Sequence, residues 1–142
     1  MASAGNAAPV RVRPCRPPGI QPLRWPDPFP FDSTLAMHAA TYAKQIGRTV
    51  PFALAAFRQA FAGGRALDAD TVLITAAACE MHPAAVLKAM ELRSVRDDLV
   101  RATEAAAARG VRDVPAIAVG AEVFHGDSGL SAAARAAAAA AA

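Results

Sequence analysis

The sequence predicts an α/β domain that is mostly helical, with one short β-hairpin followed by a closing helix. Three observations carry this. Apolar residues recur at helical spacing in five consecutive segments between Asp32 and Arg109. The period changes to two between Pro115 and His125. Helix-favouring alanine then fills the stretch from Gly129 to the end. At 142 residues the chain suits one domain. No uninterrupted apolar run approaches the length of about 18 residues needed to cross a membrane, so no membrane partner is expected.

The first segment resists regular structure. Pro9, Pro14, Pro17, Pro18, Pro22, Pro26, Pro28 and Pro30 fix φ and break helices. Residues 1–22 read as a disordered leader rich in arginine and proline. Leu23, Trp25, Phe29 and Phe31 are too apolar to float free, so Leu23 to Phe31 is expected to lie along the surface of the domain.

From Asp32 the pattern is helical. Asp32 or Ser33 caps a first helix that carries Leu35, His38, Ala39, Tyr42, Ala43 and Ile46 and ends at Gly47. Thr49 caps a second helix with Pro51 in its first turn. One stripe of that helix is Phe52, Ala55, Ala56 and Ala60; a bulkier one is Leu54, Phe57 and Phe61. Gly63 and Gly64 end it. Asp68 and Asp70 open a third helix with Val72, Leu73 and Ala76. His82 and Pro83 open a fourth, which runs through Met90. Ser94 and Asp97 have the spacing of a capping box, and a fifth helix follows to Arg109, terminated by Gly110. Pro115–Val119 and Ala121–His125 around Gly120 read as a hairpin. Asp127 or Ser128 caps the last helix, whose alanine end is expected to fray. Two strands alone are marginal in water, so the hairpin looks like the second part of a larger α/β arrangement.

Charge and cysteine content narrow the function classes. The net charge is +3, concentrated at Arg11, Arg13, Arg16 and Arg24. No aromatics are interleaved with these arginines, so they read as a solvated basic leader and no nucleic-acid partner is expected. Cys15 and Cys79 form no CxxC, and neither a disulfide framework nor a metal site is expected. The N-terminus lacks a secretory pattern, so the expected compartment is the cytoplasm. Cys15, among prolines that forbid a following helix, reads as an inert exposed thiol. Cys79 reads as a small core residue. His38 reads as a satisfied, half-buried histidine, and His82 as a capping residue. No phosphate loop, catalytic triad or paired catalytic carboxylates can be assembled.

The stretch Gly110-Val111-Arg112-Asp113-Val114-Pro115-Ala116-Ile117-Ala118-Val119-Gly120, followed by Phe124-His125-Gly126, resembles the closing part of DsbA-like thioredoxin-fold proteins. Arg65-Ala66-Leu67-Asp68, Val72-Leu73, Met81-His82-Pro83 and Trp25-Pro26-Asp27-Pro28-Phe29-Pro30 resemble one branch of that family. That branch comprises the 2-hydroxychromene-2-carboxylate isomerases and kappa-class glutathione transferases. The resemblance covers about residues 20–131. It implies a helical insertion over residues 23–93 and a C-terminal thioredoxin-fold portion over residues 94–142. The family's first β-α-β unit, with its nucleophile, has no match, so the chain is expected to be a truncated member and its catalytic residue is unassigned.

By the same resemblance, Pro115 is a cis-proline facing the nucleophile, and Val114 offers backbone groups to a peptide or to glutathione. Asp127 and Ser128 stand where the branch holds the γ-glutamyl end of glutathione, with the two identities exchanged and Gly129 where arginine is common. A simpler reading stays open for each: Pro115 as the start of an edge strand, Asp127 and Ser128 as a helix cap. His125 could line the cleft beside Asp127. The implied cofactor is glutathione, and the implied partner is a small thiol or an unsaturated aromatic substrate. Little activity is expected of the chain alone. The alternative is a non-catalytic binding or dimerisation module, and self-association into a homo-oligomer is expected to cover the hairpin edge.

Overall fold

The computed structural model of the chain describes residues 22–141. Cys15 and nearly all of the expected leader lie outside these residues. The order is α1 (Thr34–Gln45), α2 (Thr49–Phe57), one π-helical turn (Arg58–Ala62), α3 (Ala69–Ala77), α4 (Pro83–Glu91), α5 (Arg93–Ala108), β1 (Ala116–Val119), β2 (Glu122–His125) and α6 (Gly126–Ala140). This is the mostly helical α/β architecture expected from the sequence. No helix among the described residues is long and apolar enough to cross a membrane.

The segment before α1 lies along the surface, as expected. The Arg24 N–H donates to the Phe61 carbonyl at 2.7 Å. Trp25 packs at a tilt against Phe29, ring centroids 4.6 Å apart, and makes an edge contact with Phe61 at 5.8 Å. Trp25 and Phe29 nevertheless remain half exposed.

Helix α1 is central: it packs on α2, α3, α4 and α5. Its buried residues are Ala36, Ala39 and Ala43, spaced three and four apart so that they share one face. The larger apolar residues behave differently from the sequence expectation. Leu35 and Ile46 are exposed, and Tyr42 packs only partly against the core. Four neighbours around one helix leave little room between axes, so the face with the smallest side chains turns inward. Large residues come from the surroundings instead: Phe52, Val72 and Val86 of the neighbouring helices and Met81 of the α3–α4 connection are fully buried. Along α2 and the π turn the stripe Phe52, Ala56 and Ala60 is buried, while Leu54 and Phe57 of the bulkier stripe face solvent. Thr71 and Thr75 are also buried, and the Thr75 hydroxyl is satisfied by donating to the Thr71 carbonyl at 2.6 Å.

The helix starts divide into those that match the caps read from sequence and those that do not. Asp68 caps α3, its Oδ1 accepting the Thr71 N–H at 2.8 Å. His82 caps α4 through Nδ1, which accepts the Ala84 N–H at 3.2 Å. At α1, Asp32 accepts both the N–H and the hydroxyl of Thr34, whereas Ser33 holds the cap position without a side-chain bond. Thr49 is the first residue of α2 rather than its cap, which is Arg48. The capping box at Ser94 and Asp97 is corrected: α5 starts at Arg93, so Ser94 is already helical. The chain leaves α4 and enters α5 through one extended residue, Leu92 (φ −65°, ψ 128°), whose carbonyl accepts the first helical N–H groups. No residue is left over to stand outside the helix. The caps expected at Asp127 or Ser128 are corrected in the same way. Helix α6 begins at Gly126, directly after β2, and neither side chain forms a cap bond.

Packing groups α5 with the helices before it. It lies against α1 and α4, and the Gln45 side-chain amide donates to Asp98 Oδ2 at 2.7 Å. Strands β1 and β2 pair antiparallel, with Ala116 opposite His125 and Val119 opposite Glu122 around the turn Gly120–Ala121. Helix α6 packs on both strands, and neither it nor the hairpin makes an extended contact with α1–α5. Gly129 and Ala133 are its buried positions. The alanine end stays helical through Ala140, with residues 137–140 exposed. Among the described residues the sheet has two strands, so the outer edge of β1 is unpaired.

Two further sequence expectations meet the structure at single residues. Cys79 is a core residue, as expected, just past the end of α3. His38 is half-buried but not satisfied, because its buried Nδ1 has no hydrogen-bond partner among the described residues.

Candidate functional site

The four residues singled out by sequence lie at one end of the hairpin. Val114 and Pro115 lead into β1, while Asp127 and Ser128 lie in the first turn of α6. The register that sets Ala116 opposite His125 brings the two segments side by side. The Gly126 N–H closes the join by donating to the Pro115 carbonyl at 2.9 Å. Gly126 has φ 67°, a backbone conformation open to glycine at little cost, and this lets β2 turn directly into α6. The Val114–Pro115 peptide bond is cis.

Val114 stands out into solvent at 79% exposure. Its N–H is already used: it donates to Oδ1 of Asp113 at 2.7 Å. An extended ligand taking this N–H would have to displace the Asp113 carboxylate. Asp127 and Ser128 are exposed. They sit beside the unpaired N–H groups of the first turn of α6, where an acid is favoured by the helix dipole. The arrangement can hold an extended, partly charged ligand between a backbone segment and a helix start. His125 is half-buried and lies, by the alternation of β2, on the opposite sheet face from Phe124. Its Nε2 accepts the Arg112 N–H at 3.1 Å.

In the sequence Gly129 stands out only as a departure from the resembled pattern. The structure gives it a physical role. A Cβ at this position would lie 3.1 Å from the Phe124 carbonyl carbon and 3.2 Å from Phe124 Cβ. Glycine therefore lets α6 seat on β2, which in turn places Asp127 and Ser128. No sequence signal separates such a glycine from a simple interruption in a helix. Cys79 does not join the site. Burial pushes its thiol above the ordinary value, partly offset by the Arg48 guanidinium, so the thiolate is disfavoured. No cluster of histidine, cysteine and acidic side chains suited to a metal occurs among the described residues.

Residues 19–138 match the DSBA-like thioredoxin domain family. No curated protein and no solved structure matches the chain. The matched span takes in both the helical body and the hairpin with α6.

Proposed function

The chain belongs to the DSBA-like thioredoxin domain family, and from that premise we propose that it is a cytoplasmic, glutathione-binding relative of the 2-hydroxychromene-2-carboxylate isomerases and kappa-class glutathione transferases. Membership places it in a superfamily of the thiol-disulfide oxidoreductase type. The observation that carries the finer reading is the junction of Val114–Pro115 with the start of α6, tied by the bond between Gly126 and Pro115. In this reading the cysteinyl part of glutathione lies along Val114. The γ-glutamyl end is held by Asp127, Ser128 and the N–H groups of α6. Glutathione supplies the thiol, since the cysteine among the described residues, Cys79, is buried. The chain alone turns over weakly in this reading, because no site residue stands where the resembled family carries its nucleophile.

Calorimetric titration of the full chain with reduced glutathione tests this. Saturable binding is expected at millimolar ligand, weakened at least fivefold in the double variant Asp127→Ala/Ser128→Ala. No binding heat, or equal binding by the double variant, would overturn it. Isomerisation of a 2-hydroxychromene carboxylate at a rate typical of the family would overturn the expectation of weak activity.

The unpaired outer edge of β1 favours a second reading, a non-catalytic dimerisation module. Neither strand contains proline, and β1 carries no charge that would guard its edge. Light scattering separates the two readings: a dimer that binds no glutathione would favour the second.

A further inference from the structure

On the sheet face away from α6, the segment that follows α5 and the hairpin form a hollow of about 400 Å³. Arg109, Gly110, Arg112, Ala121, Val123 and His125 line it. Among the described residues this lining includes two arginines and a histidine, and no acid. Among the described residues neither arginine takes part in an ion pair. The neighbouring acid, Asp113, is turned to the Val114 N–H.

The geometry around this hollow suits an anion. Gly110 has φ 91° and turns the chain after α5, and Arg109 and Arg112, before and after it, both line the hollow. Of the carbonyls at the end of α5, which would repel an anion, those of Ala105, Ala106 and Ala107 are already used. They accept the N–H groups of Arg109, Gly110 and Val111 at 2.9–3.2 Å. His125 is held by the Arg112 N–H on Nε2. Its neutral ring then carries the proton on Nδ1, which remains a donor.

We propose that this hollow is a binding site for the phosphate group of a small phosphate monoester. Two arginines and one histidine on a single hollow can turn two forked guanidinium groups and an imidazole N–H toward one ligand. A tetrahedral dianion has three peripheral oxygens to meet them, whereas a planar carboxylate has two. The hollow is larger than a phosphate group, and Ala121 and Val123 give an apolar floor for a small organic body. The site uses none of Val114, Pro115, Asp127 or Ser128, so it stands or falls separately from glutathione binding.

The test is calorimetric titration of the full chain with phenyl phosphate and with benzoate, in a chloride buffer of low ionic strength. Phenyl phosphate is expected to bind saturably and at least tenfold more tightly than benzoate. The double variant Arg109→Gln/Arg112→Gln is expected to weaken it at least tenfold, and Arg58→Gln, in the π turn, to leave it unchanged. Absence of saturable binding, equal affinity for benzoate, or an equal loss in Arg58→Gln would overturn the proposal. Should the double variant fail to fold, NMR of the unaltered protein decides. Phenyl phosphate must shift the His125 ring and Ala121 methyl signals, and unmoved signals would overturn the site.

Discussion

Gly129 shows how one small residue sets the geometry of a site it does not line. A helix interior ordinarily gains about 1 kcal/mol when glycine is replaced by alanine. Here the added Cβ would crowd Phe124 at 3.1–3.2 Å, and part of that crowding is backbone, which cannot swing aside. Gly129→Ala is therefore expected to bring no gain in stability, and Gly129→Val to cost about 1–3 kcal/mol through overpacking. Denaturant unfolding followed by circular dichroism measures both, and a Gly129→Val protein as stable as the original would exclude the close approach. Single residues also mark the limits of reading the sequence. Asp68 and His82 were legible as caps because each stands just before a helix and needs no tertiary partner. Ser94 and Asp97 have capping-box spacing yet lie inside α5, because that spacing also occurs in any exposed helix. The orphaned Nδ1 of His38 could not be read at all, since satisfaction depends on what other helices bring to it.

At the scale of elements, Asp68 makes the start of α3 sensitive to acid. The Thr71 N–H, and more weakly its hydroxyl, hold the Asp68 carboxyl below its ordinary value. A carboxylate lowered in the folded state stabilises above its unfolded pKa, about 4, and loses that contribution as pH falls through the folded value. The native protein is therefore expected to have a higher Tm than Asp68→Ala at pH 7. The two should converge as pH is lowered into the strongly acidic range. A constant gap across a thermal-melt series would show that the cap acts without its charge. Element order was legible from periodicity and punctuation. The inward face of α1 was not, because periodicity weighs large side chains, while the close approach of four helices to α1 selects alanine on its buried face. The π turn at the end of α2 also leaves no mark in the sequence pattern.

At the scale of the whole molecule, the described residues form a helical body, α1–α5, and a smaller unit of hairpin and α6. The apolar core is gathered in the first, around Phe52, Val72, Met81 and Val86. The second is held by two short strands and a helix rich in alanine. Its amides are expected to exchange with solvent at least tenfold faster than those of α1 and α2, as local opening of the less buried unit requires. Hydrogen exchange read by NMR or mass spectrometry tests this, and uniform protection would show that the two units open together. The candidate site lies wholly in the smaller unit. Its segments were legible in the sequence as a run ending in Val-Pro and as a helix start. Their juxtaposition depended on a hairpin register that only pairing partners can fix.

The alanine axis of α1 bears on how this chain can change over generations. Ala39 and Ala43 are wholly enclosed, and the helix that carries them touches four others. Enlarging either one presses on more than one neighbour, so no single second-site change can restore the fit. The surrounding helices can exchange their own large residues one at a time, whereas these central positions can drift only if several helices change together.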